Sequence, residues 1–340
     1  MLTIDGSEGE GGGQVLRSSL AMSLVTTTPL HMVKIRAKRK KPGLMRQHLT
    51  AVQAAKQVGR AEVEGDDIGS QNLRFQPNSI APGPYRFAVG TAGSATLVLQ
   101  TVLPPLLTAS ARSTLTLEGG THNPFAPPFD FLHDSFLPLV NTMGPTVTAR
   151  LERPGFYPAG GGRLSVGIEP SVRLAGFSLL DRGEVRRRTA RAIVSRLPRS
   201  IAERELAVVA RKLGFSTDEL QVEEIADPRG PGNVVMITIQ SEHVTEVFTE
   251  FGSRGVRAEK VADRAADAAE RYLAGNAPVG EHLADQLLIP LALAGGGSFR
   301  TFPPTQHTLT NIEVLKQFLN VEITPWQVDS DTWQIDVKAG

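Results

Sequence analysis

One pattern, met three times along 340 residues, constrains this chain more than any other feature. In the first copy a Gly-rich turn, Gly11 to Gly13, opens a helical apolar period that runs to about Val25. A β-branched run follows at Val33 to Ile35, and a basic Pro-Gly loop starts a second helix from about Gly43 to Val58. Strand-like runs near Ala61 to Glu64 and Leu73 to Gln76 close the copy. The second copy repeats the order. A helix follows Gly90-Thr91-Ala92-Gly93, then a strand at Thr114 to Leu117 and a turn at Gly119-Gly120-Thr121. A helix over about Pro128 to Thr142 precedes strands at Thr146 to Leu151 and Arg163 to Ile168. The third runs from Gly280 through a helix to about Ala294, a strand near Ser298 to Phe302 and a helix from His307 to about Leu319. Strands near Val321 to Pro325 and Thr332 to Val337 end it. Each copy reads α-β-α-β-β in about 60 to 80 residues, the signature of a repeated supersecondary unit.

About 100 residues between the second and third copies, from Leu180 to Ala277, do not fit the pattern. They predict an Arg-rich helix over Arg182 to Arg196, a helix over Ile201 to Leu213, a strand at Val234 to Ile239 and a helix over Ala258 to Ala274. Inserts of this kind are tolerated at exposed turns. The expected class is therefore α/β (α+β). Residues 1–180 and 278–340 would form a large domain of three units, about 1–80, 85–170 and 278–340, with 181–277 as a smaller inserted α/β domain.

The totals exclude several function classes. With 36 Lys and Arg against 35 Asp and Glu, a polyanion must be held by local basic clusters and not by the field of the whole molecule. The chain has no cysteine, which removes thiol catalysis, disulfide scaffolds and Cys-ligated zinc. The N-terminal MLTIDGSEGEGG is acidic and Gly-rich, unlike a signal peptide. The apolar stretches Leu97 to Thr108 and Leu283 to Ala294 fall short of a membrane span and read as buried helices. A cytoplasmic location is the expectation.

The position just before the second helix of each copy carries the unusual residues. It reads Arg36-Ala-Lys-Arg39-Lys-Lys-Pro42-Gly43 in copy one, Gly120-Thr-His122-Asn123-Pro124 in copy two and Pro304-Thr-Gln-His307 in copy three. If the units share an approximate axis, these loops converge, and the helix N-termini there present free N–H groups suited to a phosphate. Lys34, Arg36, Lys38, Arg39, Lys40, Lys41 and Arg46 are a cluster of the kind that holds phosphates, although Lys/Arg runs are also common on solvated faces. The Arg186-Arg187-Arg188 run is as well explained by a solvated face as by a second nucleic-acid surface. Gly9-Glu10-Gly11-Gly12-Gly13-Gln14 is neither a P-loop nor a dinucleotide fingerprint, since it lacks Gly-Lys-Ser/Thr and no proper hydrophobic strand precedes it. Alone, His307 is better read as a helix-capping or surface histidine. Asp285 and Gln286, on a helix expected to face the same loop, raise its standing, because an Asp near a His can fix its tautomer.

These residues resemble the RNA 3'-terminal phosphate cyclase family over nearly the whole chain. The likeness runs through Ile4-Asp-Gly-Ser, Glu10-Gly-Gly-Gly-Gln-Val-Leu-Arg17, Lys41-Pro-Gly-Leu, Arg46-Gln-His-Leu-Thr-Ala-Val52 and Leu97-Val-Leu-Gln100-Thr-Val-Leu-Pro104. It continues through Gly119-Gly-Thr, Ala126-Pro-Pro, Asp130-Phe131, Gly155-Phe-Tyr-Pro, Gly160-Gly-Gly162, Gly230-Pro-Gly-Asn233, Leu283-Ala-Asp-Gln286 and Thr310-Asn-Ile312.

The resemblance implies three repeated units plus an inserted domain, and a three-step reaction with ATP as AMP donor and RNA 3'-phosphate ends as substrate. His307 would be the nucleophile that takes AMP from ATP. Glu10 would bind a divalent metal, Mg or Mn, or ATP. Arg17, Arg36 and Arg39 would bind phosphate, with Gln47 in the same group. Gln100, Pro127 and Phe131 would hold the adenosine, Phe131 by stacking, with His282, Leu283, Ala284, Asp285 and Gln286. The chain departs from some members in having His282 where they have Tyr and Gln306 where they have Cys. Other readings are a non-catalytic family relative acting in ribosome assembly, which lacks the histidine, and a transferase on a similar repeated scaffold, which needs no ATP. A homodimer is left open.

Overall fold

A computed structural model describes residues 1–227 and 229–340. The first unit consists of β1 (Leu2–Asp5), α1 (Gly13–Thr26), β2 (Leu30–Val33), α2 (Arg46–Val58), β3 (Glu62–Glu64) and β4 (Leu73–Gln76). The second has β5 (Pro84–Ala88), α3 (Ala95–Leu107), β6 (Ser113–Gly119), a helical stretch α4 over 129–142, β7 (Thr146–Arg153) and β8 (Gly162–Glu169). A two-residue strand β9 (Ser178–Leu179) comes next. After residues 181–277, α7 (Glu281–Ala294), β14 (Gly296–Thr301), α8 (Gln306–Phe318), β15 (Val321–Gln327) and β16 (Trp333–Ala339) complete the third unit. The intervening segment supplies β10 (Val185–Ser195), α5 (Arg199–Leu213), β11 (Leu220–Glu224), β12 (Gly232–Ser241), β13 (Thr245–Phe251) and α6 (Ala258–Ala274).

The three units share one topology. Their sheets run β1-β2-β4-β3, β5-β6-β8-β7 and β9-β14-β16-β15. In each, the first pair is parallel and the other two pairs are antiparallel. Each unit is thus β-α-β-α-β-β, one strand more than the sequence pattern suggests. The extra strands are edge strands of four, five and two residues, and each buries a single side chain, so none shows an alternating pattern. One of them, β1, precedes the Gly-rich segment where the sequence suggests no strand. Because β9 pairs with β14, the 181–277 segment interrupts the third unit after its first strand, and does not fall between two finished units.

A second correction concerns Arg182 to Arg196, read as an Arg-rich helix. Val185 to Ser195 is instead the central strand of a sheet ordered β11-β10-β12-β13. Arginine is a good helix former, but burial follows a period of two here: Ala190, Ala192 and Val194 pack with α5 and α6 residues, while Ile193 turns to the opposite core. Met236, Val244 and Val247 join that same core with the α3, α4 and α7 apolar residues, so the segment's sheet is packed on both faces. The apolar runs around Leu97 and Leu283 are the buried helices α3 and α7. Among the described residues, no helix is long and apolar enough to cross a membrane.

Candidate active site

His307 is the second residue of α8. The Thr305 side chain caps this helix by accepting from the Thr308 N–H at 3.2 Å, which fixes where the first turn begins. The imidazole is exposed, and its Nδ1 lies 2.6 Å from Gln14 Oε1. Gln14 is itself the second residue of α1, a helix packed on α8, so two helix N-termini meet at this hydrogen bond. Their unpaired N–H groups favour an anion beside the ring.

Gln14 is the hub. Its Nε2 donates to Asp285 Oδ1 at 2.5 Å, and the same carboxylate receives Asn311 Nδ2 at 3.2 Å and Gln286 Nε2 at 3.2 Å. Asn311 also donates to the Asp285 carbonyl at 3.1 Å and accepts from Ser18 Oγ at 2.8 Å. With the Gln14 amide nitrogen committed to a carboxylate, its oxygen faces His307 and can only accept. Nδ1 therefore carries the proton and the Nε2 lone pair is left for chemistry, a tautomer inferred from the network. Burial pushes the Asp285 carboxyl up, opposed by His307, Gln14, Arg17 and Gln286. The sequence places Asp285 beside His307; the structure places Gln14 between them.

The cations are held in different ways. Arg17 Nε donates to Gln100 Oε1 at 3.0 Å, and Gln100 Nε2 to Gln286 Oε1 at 2.6 Å, which joins three of the expected residues in one chain. Burial lowers the Arg17 guanidinium to about 10, against the pull of Glu10 and Asp285. Arg39 pairs with the Glu10 carboxylate, and Glu10 Oε1 also accepts from the Gln14 N–H at 3.3 Å. Arg36 spends Nη1 on the carbonyls of Lys41 and Gly43, at 2.9 and 2.7 Å, and so shapes the basic loop. Acids therefore reach a cluster that has none in its own sequence, since Lys34 pairs with Asp5 at 2.6 Å.

Two glycines make room for this arrangement. A Cβ on Gly12 would lie 2.4 Å from Glu10 Oε2 and 2.5 Å from Arg39 Nη2, and one on Gly13 2.6 Å from His48 Nε2 and 2.8 Å from Arg17 Nη1. His48 is a site residue that the sequence reading did not single out. Its Nδ1 accepts from the Met45 N–H at 3.3 Å, and burial, with Arg17 and Arg36 nearby, depresses the ring to about 3, so it is a neutral donor through Nε2. Only its place one residue after Gln47, at the start of α2, could have signalled it.

The remaining expected residues divide. Gln47 Oε1 accepts from the Ser94 N–H at 2.7 Å, tying the first unit to the α3 N-terminus, and the Pro127 carbonyl accepts from Thr96 Oγ1 at 2.7 Å. A cavity of about 30 Å³ is lined by Gln100, Leu103, Leu132, Asp285, Gln286 and Asn311 among others. His282 is exposed at the start of α7. Phe131, Leu283 and Ala284, at 3%, 0% and 1% exposure, are core side chains, so the ring expected to stack on adenine has no open face in this arrangement. Among the described residues there is no cluster of three or more His, Asp or Glu with metal-site geometry, and Glu10 stands as a single carboxylate beside cations.

Comparison with known proteins decides the family. The family described as RNA 3'-terminal phosphate cyclase matches residues 8–324. The chain belongs to the RNA 3'-terminal phosphate cyclase family. It is similar to the RNA 3'-terminal phosphate cyclase of Koribacter versatilis (strain Ellin345), 53% identical over 321 residues, 94% of this chain and 90% of the relative. The cyclase of Ectopseudomonas mendocina (strain ymp) is 49% identical over 330 residues, 97% and 96% of the two chains. That of Ralstonia nicotianae (strain ATCC BAA-1114 / GMI1000) is 51% identical over 324 residues, 95% and 93%.

Proposed function

We propose that this protein is an ATP-dependent RNA 3'-terminal phosphate cyclase that works through a covalent AMP on His307 Nε2. The observation that carries the proposal is the Asp285–Gln14–His307 chain, which commits Nδ1 of an exposed imidazole to Gln14 and leaves Nε2 to act at the junction of two helix N-termini. Nε2 attacks the α-phosphorus of ATP, the P–O bond to pyrophosphate breaks, and a His–AMP phosphoramidate forms. The ring becomes cationic, with Nδ1–H kept on the Gln14 carbonyl and the Asp285 charge one residue further away. An oxygen of the RNA 3'-phosphate then attacks the same phosphorus, expels the histidine and yields an RNA–AMP pyrophosphate. The terminal 2'-hydroxyl attacks the activated 3'-phosphorus, loses its proton to solvent and releases AMP, leaving a 2',3'-cyclic end. This last step is intramolecular, and proximity supplies up to about 7–11 kcal/mol in favourable model reactions.

Arg17, Arg39 and neutral His48 line the path of the phosphates with donors, and the helix N-termini of α1 and α8 add their N–H groups. A single carboxylate, Glu10, fits a divalent cation of the magnesium type, which keeps waters and takes substrate phosphate oxygens as further ligands. Such an ion, when bound, offsets the triphosphate charge, and Glu10 must first part from Arg39. The residues of 181–277 are proposed as a smaller inserted domain that shares one face of its sheet with the main core, and the cytoplasm as the compartment.

The test is intact mass after exposure to ATP, with acid treatment as a control. A gain of one AMP that acid removes, absent in His307→Ala, is expected. Absence of the adduct in the wild type, or its retention in His307→Ala, overturns the assignment.

A further inference from the structure

We infer that Phe125 and Tyr157 form a stacking platform for the unpaired bases of the RNA just upstream of its 3'-phosphate. The inference rests on the cyclase reading of the same site.

Phe125 is fully exposed, at 103%, and its φ of +63° lies in the left-handed region that bulky side chains rarely adopt. Both conditions work against a large apolar ring, so an exposed, backbone-strained Phe calls for a partner outside the chain. Its loop is built to keep it there. Pro124, Pro127 and Pro128 bracket it, the Phe129 N–H returns to the Thr121 carbonyl at 3.0 Å, and Asn123 Nδ2 donates to the Ala92 carbonyl at 2.5 Å.

Tyr157, 66% exposed, stands on the adjoining loop. The two loops are joined at their bases: the N–H groups of Thr121 and His122 both donate to the Gly155 carbonyl, at 2.9 and 3.0 Å, and buried His122 stacks on Phe156 at 5.2 Å. His122 Nε2 is fixed in turn at 2.8 Å from Asp130. Phe125 and Tyr157 are the exposed outer members of this assembly.

Position and charge select the partner. The Gly90–Gly93 turn lies between the aromatic loops and the candidate active site. A Cβ on Gly160 would be 2.7 Å from Ala92 Cα, and the next residues, Gly93 and Ser94, touch Gln47, one residue from His48. Lys38, Lys40 and Lys41 belong to the loop that leads into Arg46 and Gln47, and none of these four cations has an ion pair among the described residues; Arg153 and Arg229 flank Gly161 on the Tyr157 side. Exposed aromatic rings beside unpaired cations are the combination that single-stranded nucleic acid uses, bases on the rings and phosphates on the cations, without sequence preference.

The test compares Phe125→Ala and Tyr157→Ala with Phe125→Trp and Tyr157→Phe, using a fluorescent single-stranded RNA oligonucleotide that ends in a 3'-phosphate. Adenylation by ATP alone, which uses no RNA, reports on the fold of each variant. The alanine variants should bind the oligonucleotide roughly 5- to 150-fold more weakly, and the aromatic replacements should restore binding. An abasic residue next to the RNA terminus should weaken binding to the wild type but add little in the alanine variants. Wild-type affinity in both alanine variants overturns the platform, as does unchanged affinity with an altered sedimentation mass, which would assign the rings to contact between copies. A wild type that neither forms the adenylate nor binds RNA overturns the cyclase reading itself, and the platform with it.

Discussion

His307 Nδ1 and Gln14 Oε1 are 2.6 Å apart, and the other end of the Gln14 amide is on Asp285. The orientation of the imidazole is thus set by a neutral side chain that passes on the preference of a buried carboxylate. Gln14→Leu keeps the bulk and removes both hydrogen bonds. Adenylation, followed as acid-labile protein-bound AMP at saturating ATP, should fall on the order of 10²-fold or more, with thermal stability changed little, because a histidine free to adopt the wrong tautomer loses most of its nucleophilic power.

Gly13 and Gly43 should fail in opposite ways. A Cβ on Gly13 meets the far ends of two flexible side chains, His48 and Arg17, so Gly13→Ala should fold and lose on the order of 10²-fold in kcat/KM through their displacement. A Cβ on Gly43 meets the Gly69 carbonyl oxygen at 2.1 Å, and Gly43 has φ +79°. Gly43→Ala should lose about 2 kcal/mol or more of stability, read from denaturant melts.

Stability should depend on Glu246, a buried β13 carboxylate with no ion pair among the described residues. It accepts the Gly280 N–H at 2.6 Å, at the start of the helix that carries Asp285. Burial raises it from 4.5 to about 8, and the folded state therefore holds this proton more tightly than the unfolded chain does. Its contribution is complete below about 4.5 and is lost as pH rises through about 8. Glu205, buried beside Asn233 and raised to about 7, acts in the same direction. The melting temperature should fall between pH 5 and 8.5, and Glu246→Gln should flatten that slope.

Arg39 and Arg187 separate the basic loop from the inserted segment. Arg39 is on Glu10, next to Gln14; Arg187 is an exposed residue of β10. Arg39→Ala should weaken ATP binding about tenfold or more, the usual worth of a charged hydrogen bond, and Arg187→Ala should do much less. Titration of each variant with ATP distinguishes them, and equal losses would refute the role of the loop.

Much of this was legible in the sequence, for reasons that particular elements show. The helix over Ala258 to Ala274 has a strong amphipathic period and is found with the expected bounds. The strands β1, β5 and β9 were not legible, because each buries a single side chain and shows no alternation, and the Arg186-Arg187-Arg188 run concealed a strand whose alternation becomes clear only once its two faces have neighbours. In the site, His307, Asp285 and Glu10 declare themselves by residue type. Gln14 and His48 do not, since their roles come from what the fold sets against them. The seclusion of Phe131, Leu283 and Ala284 in the core is likewise a property of packing that no motif records.

The bond between Gln14 and His307 closes across 293 residues, with the whole inserted segment threaded through the unit that completes it. During synthesis His307 therefore arrives 293 residues after the side chain that orients it. A chain not yet extended past His307, however well folded its early units, lacks this bond, and on the proposed mechanism it has no oriented nucleophile. On that mechanism, nucleotide chemistry waits until the two ends of this 293-residue span have met, and charging with AMP reports that they have.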